Sequence, residues 1–187
     1  MAFCGERSGE FPEVIVNGSG VFRTVVISGE LTEQTADTLI GLYREIKSPA
    51  LVVLIVNVIG GDFEKAKAAT DEITKAEMER RVFTVAVMER AKGAGLVLSL
   101  GAYLRFALVS SELGDLRGEF DEFEAMKLLQ SCLGEKITEN AFYAMRQGRN
   151  FSPEAAECFG LANLVFPSLG DVHAEIREVI KATFGTN

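Results

Sequence analysis

A chain of 187 residues with 48% hydrophobic side chains has enough apolar material for one sizeable core. Its 27 acidic against 19 basic residues, a formal charge of -8, argue against nucleic-acid phosphates or an anionic membrane as partners, because both would repel it. Cys4, Cys132 and Cys158 lie far apart with no CxxC pair and His173 is the single histidine, so neither a disulfide framework nor a metal site is expected.

Cys132 and Cys158 fall in helix-like segments and are expected to be small core residues, with Cys4 an exposed thiol. The start, Met1 to Arg7, shows no basic stretch followed by an apolar run, and the apolar stretch Gly93 to Tyr103 is too short to cross a bilayer. A cytoplasmic protein is expected. The chain reads as a single domain over 1–187, with a core over 12–170 and a C-terminal helix over 171–187, because no repeat, low-complexity tract or linker divides it.

Val14-Ile15-Val16 and Val21 to Ile27 are β-rich runs separated by Asn17-Gly18-Ser19-Gly20, a connection of hairpin type. Thr32 then precedes Ala36, Leu39, Ile40, Tyr43 and Ile46 at helical spacing, with Glu33 and Asp37 near the positive end, and Ser48-Pro49 stops that helix. Leu51 to Val56 is continuously apolar and β-branched, which suits a strand covered on both faces, and Asn57-Val58-Ile59-Gly60-Gly61 follows. Asp62 to Glu79 is a helix with Phe63, Ala66, Ala69, Ile73 and Ala76 on one face, and Val82 to Met88 a second buried strand, completing a β-α-β unit with a right-handed crossover. Lys92-Gly93-Ala94-Gly95 leads into a small-residue helix, Leu96 to Ala102, and then a strand, Arg105 to Val109.

Glu119 to Leu133 and Thr138 to Met145 are amphipathic helices separated by Gly134. Ser152-Pro153-Glu154 starts another, with serine as cap and proline at the first position, ending at Gly160. Leu161 to Phe166 is a last strand and Asp171 to Phe184 a last helix.

Two glycine-rich segments are candidate sites. At Gly60-Gly61 the missing side chains let backbone amides approach a ligand and polarise a carbonyl oxygen; a tight turn with no ligand accounts for the same pattern. Ala94 and Gly95 open a helix whose first amides point outward, so the two turns on neighbouring strands are placed to face one oxyanion. Neither matches a nucleotide-binding fingerprint.

From about Arg23 to Val165 the chain resembles the Clp protease/crotonase superfamily. Arg23 to Leu31 followed by a helix, and Leu54 to Gly61, are similar to the Clp protease subunit, whose strand ends in Asn-Ser-Pro-Gly-Gly, and the chain length is also nearer to that subunit. Arg149 to Ala155 with Gly160 to Val165 resembles both branches; Asn163, Pro167 and the turn Ala91 to Gly95 lean towards crotonases. The resemblance implies an α/β fold of repeated β-β-α units, a parallel sheet core and C-terminal helices.

The residues that carry either branch's chemistry are missing. Protease subunits use a serine, a histidine and an aspartate; the matching positions here are Lys92 or Ala94, Leu116 and Gly148. His173 lies beyond the last strand on a surface helix, and Ser99 is a packing residue. Crotonases hold a thioester oxygen on two amides while glutamates move protons; the glutamate positions fall at Val97 and near Arg117, close to Glu112, Asp115 and Glu119. Lys92 and Glu119 are the weak catalytic candidates that remain. Lys92 is expected to be an ordinary exposed charge, the alternative being an ammonium buried beside the oxyanion pocket.

The leading expectation is a non-catalytic Clp-type subunit in a homo-oligomer, as a trimer, hexamer or heptamer ring, without peptidase activity. The alternatives are a crotonase-like lyase or isomerase, or an acyl-CoA-binding protein using the backbone oxyanion hole, and a structural interaction module. Acyl-CoA is the one ligand implied; no cofactor or metal is.

Overall fold

The computed structural model describes residues 13–18, 21–118 and 120–184; Cys4, Ser19, Gly20 and Glu119 lie outside them. β1 (Glu13–Asn17) and β2 (Phe22–Leu31) pair antiparallel. The chain then alternates: α1 (Glu33–Glu45), β3 (Ala50–Gly61), α2 (Phe63–Arg80), β4 (Val82–Lys92), α3 (Ala94–Ser99), β5 (Leu104–Gly114). β2, β3, β4 and β5 are adjacent and parallel. After α4 (Glu122–Leu133), a 3-10 turn and α5 (Glu139–Arg146), β6 (Asn150–Phe151) pairs antiparallel with the end of β5. Following α6 (Pro153–Cys158), β7 (Leu164–Phe166) pairs parallel with the earlier part of β5, and α7 (Leu169–Phe184) closes the chain. The result is an α/β fold with a mostly parallel seven-stranded sheet.

The unbroken apolar runs explain the layering. Along β3, Val52, Leu54 and Val56 enter the core under α1, α2 and α3, while Leu51 and Val53 point the other way, into a second core closed by Val172 and Ile176 of α7. Alternation puts neighbouring side chains on opposite faces, so a strand that is apolar throughout needs cover on both sides. Helix starts follow local chemistry: Thr32, Asp62, Asp121, Thr138 and Ser152 each accept a first-turn amide on the side chain.

Three sequence expectations change. The strands are longer than their apolar runs, β3 continuing through Gly61 and β4 through Lys92, because the glycine-rich segments still pair with their neighbours. The helix after the second turn begins at Ala94 rather than Leu96. Cys158, the last residue of α6, is exposed, and Cys132 on α4 is partly buried against the core. No helix among the described residues is long and apolar enough to cross a membrane.

Asn163 pins the ends of the sheet: its side-chain oxygen accepts from the Arg105 amide at 2.7 Å, and its own amide donates to the Arg105 carbonyl at 2.7 Å. On the other side of the molecule α1 is tied to β4 by Tyr43, fully buried, whose hydroxyl lies 2.9 Å from Thr84 Oγ1. Burial pushes that phenol well above its ordinary range, the Thr84 hydrogen bond offsetting only part of the effect. The folded state thus keeps a proton that the unfolded chain releases above about pH 10. This contribution to stability is present below that pH and is lost as the pH rises further. Tyr43→Phe is expected to cost about 1 kcal/mol at neutral pH in urea titration and to flatten the fall of stability above about pH 10.

Candidate functional site

The site is set by a break in register that runs across the sheet. Gly29 pairs with Val58 but Glu30 with Gly60, leaving Ile59 extra on β3. Val56 pairs with Met88 but Asn57 with Arg90, leaving Glu89 extra on β4. Met88 pairs with Ala107 but Arg90 with Glu112, so β5 inserts four residues against one. Inserted residues bend strands, and because these lie at one level each long strand falls into two segments. In this sense the repeat is the expected β-β-α.

One buried hydroxyl secures the largest offset. Ser111 Oγ accepts the Leu108 amide at 2.8 Å and donates to the Met88 carbonyl, satisfying a donor and an acceptor that the break removes from the ladder. Sequence reasoning missed Ser111; the only signal was a serine pair at the end of an apolar run.

Beyond the break the two glycine turns meet. The Gly93 amide donates to the carbonyls of Gly114 (3.2 Å) and Asp115 (3.0 Å), and the Leu96 and Val97 amides both close on the Gly93 carbonyl. By helix geometry the amides of Ala94 and Gly95 have no acceptor within α3. A side chain on Gly93 would lie 3.5 Å from Gly60 Cα, so the turns are in contact. Gly95 packs straight onto β3, where an added Cβ would come within 2.7 Å of Val58 Cβ. Gly61, at φ 120°, would put a Cβ 2.3 Å from the Leu31 carbonyl oxygen, whereas a Cβ on Gly60 would meet nothing within 4 Å. Thus Gly60, Gly61, Ala94 and Gly95 are brought together, with Ala94 buried and Gly61 exposed.

The charged candidates fare differently. Lys92 is not a free surface charge: its side chain is 18% exposed and its ammonium pairs with Glu112. Lys92 lies two positions along β4 from Arg90, the register partner of Glu112, so strand alternation turns the three to the same face. The ammonium holds the Glu112 carboxyl below the usual carboxylate range. Arg117 grips Asp115 through two hydrogen bonds of 2.7 Å, and that contact holds Asp115 low as well. Glu119 falls outside the described residues.

The positions aligned with the catalytic residues of either branch are filled by packing. Val97 and Leu116 are buried apolar side chains, and Gly148, at φ 82°, leaves the space that the Arg117 guanidinium occupies. Ser99 is buried and donates to the Leu96 carbonyl at 2.7 Å. His173 is exposed on α7, the helix covering the opposite face of the sheet. Among the described residues no group of three or more His, Cys, Asp or Glu side chains is placed to hold a metal ion.

No protein-family model and no curated protein matches the chain. Solved structures do. An enoyl-CoA hydratase/isomerase family member superposes with a TM-score of 0.75 at 18% identity, over 92% of this chain and 77% of its own. An enoyl-CoA hydratase/isomerase family protein from Silicibacter pomeroyi gives 0.71 at 16%, over 94% and 84%. An enoyl-CoA hydratase/isomerase from Marinobacter aquaeolei gives 0.71 at 13%, over 90% and 76%. The fold is crotonase-like. At these identities the likeness is one of architecture, and it covers 90% or more of this chain.

If Ser111 sets the position of the second turn, its hydroxyl matters more than its bulk. Ser111→Thr is expected to keep near-native stability, while the isosteric Ser111→Val leaves a buried donor and acceptor unpaired and costs roughly 2 kcal/mol. Hydrogen-exchange mass spectrometry should show faster exchange over residues 89–99 in the valine variant only; equal exchange in both would remove this role.

Proposed function

We propose that the protein is a crotonase-like acyl-thioester-binding protein in which the paired turns hold the thioester carbonyl. The supporting observation is the contact of Gly60 with Gly93, the neighbour of Ala94. Two amide dipoles aimed at one oxygen, beside buried apolar walls, are the usual means of polarising a carbonyl without a charge. The structural neighbours are named as enoyl-CoA hydratases or isomerases, so an acyl-CoA thioester is the ligand class to test.

In this reading the carbonyl oxygen accepts hydrogen bonds from Ala94 and from an amide of the Gly60-Gly61 segment. The two carboxylates next to the turns do not take part as acids, because Lys92 and Arg117 keep Glu112 and Asp115 ionised. Carbonyl binding is the function assigned to the described residues, and Glu119 is the candidate for proton transfer that the sequence offers. A catalytically silent Clp-type ring subunit draws no support from these neighbours, and a homo-oligomer remains an expectation.

Glycine substitutions separate ligand from fold. Gly60→Ala adds a methyl where the protein has open space, so it should fold normally yet weaken acetyl-CoA binding about tenfold or more in calorimetric titration. Gly61→Ala should instead lose roughly 3 kcal/mol of stability, through its φ and its clash with Leu31. Unchanged affinity in a well-folded Gly60→Ala would count against the carbonyl site; no binding of acetyl-CoA to the native protein would end this reading.

A further inference from the structure

We infer that Arg117 is a positioning residue for the second glycine turn: by clamping Asp115 it holds a left-handed backbone that gives the Gly93 amide an acceptor. Asp115 and Arg81 are the non-glycine residues with positive φ among those described, at 48° and 54°. Arg81 is accounted for, because it ends α2 and its amide donates to the Ala76 and Glu77 carbonyls. Asp115 ends no helix. It follows Gly114, whose φ is 119°, and a side chain in the left-handed region carries a cost that other contacts have to offset.

Every polar group of Asp115 has a partner. Its amide donates to the Arg149 carbonyl at 3.1 Å, its carbonyl accepts from Gly93 at 3.0 Å, and its two carboxylate oxygens each accept from Arg117 at 2.7 Å. Two parallel bonds from a planar guanidinium fix a carboxylate in orientation as well as in place.

The guanidinium is itself held from behind. A Cβ on Gly148 would lie 2.6 Å from Arg117 Nε, and Arg149, the next residue, supplies the carbonyl that takes the Asp115 amide. The clamp thus rests on the chain at 148–149 and bears on Asp115, whose carbonyl meets Gly93, the cap of α3. An exposed ion pair by itself contributes little, and the Arg117 side chain is 67% exposed. That of Asp115 is only 14% exposed, so the pair reaches from the surface onto a carboxylate whose backbone is part of the turn. Without the clamp Asp115 relaxes out of the left-handed region and its carbonyl leaves Gly93. The clamp acts on the conformation of the turn, whatever the turn binds.

The test is amide exchange followed by NMR on the full chain made with isotope-labelled glycine, reading Gly93 against Gly41 inside α1. Arg117→Gln and Asp115→Ala should each speed Gly93 exchange about fivefold relative to Gly41. Asp115→Gly adopts the left-handed conformation without a clamp, so there Gly93 should exchange at its native rate, and adding Arg117→Gln should change nothing further. An ordinary surface ion pair gives a different pattern. Gly93 unchanged in Arg117→Gln, or glycine and alanine at position 115 speeding its exchange alike, overturns the role. The glycine and alanine comparison stands by itself where Arg117→Gln does not fold.

Discussion

Between Met88 and Arg90 one residue intervenes on β4, while between Ala107 and Glu112 four intervene on β5. Without that offset Lys92 would not lie opposite Gly114, the Gly93 amide would not find the carbonyls of Gly114 and Asp115, and α3 would not begin against the end of β3. Unpaired backbone groups in a buried sheet are costly, so such a break persists only where something else takes the bonds. Ser111 does so with one hydroxyl, and the smaller offsets at Ile59 and Glu89 carry the bend across the neighbouring strands.

The electrostatics around the turns follow a single pattern. Three carboxylates near the turns each have a cation: Glu112 has Lys92, Asp115 has Arg117, Glu122 has Arg146. In the proposed reading, what attracts a carbonyl oxygen is the dipole of the amides themselves, which neither titrates nor has to reorganise. A site of this kind suits recognition of a polarised neutral group more than acid-base work.

The glycines divide by the contacts around them. At Gly61 and Gly95 neighbouring backbone or side chains stand within 2.7 Å of an added Cβ, so glycine is needed for the architecture alone. Gly60 has open space instead, and packing gives no reason for its lack of a side chain. The same test applies to the positions aligned with catalytic residues, where Val97 and Leu116 are explained by burial and Gly148 by the Arg117 side chain lying against it.

Much of the fold was legible from residue order. Leu51 to Val56 had to be covered on both faces because it is apolar at both parities, and Thr32, Asp62 and Ser152 mark helix starts by a local bond that needs no distant partner. The two glycine turns were likewise visible, as was the lack of a serine, histidine and aspartate at the matching positions. Tertiary structure decided the rest: that Lys92 is paired and mostly buried, that Asp115 is engaged by Arg117, that Ser111 bridges two strands, and that Phe63 meets Phe120 across 57 positions of sequence under Arg146. Strand periodicity and helix caps are properties of neighbouring residues and can be read along the chain. An ion pair, a register offset or an aromatic stack depends on which segments the folded sheet sets side by side, and no local pattern carries that distance.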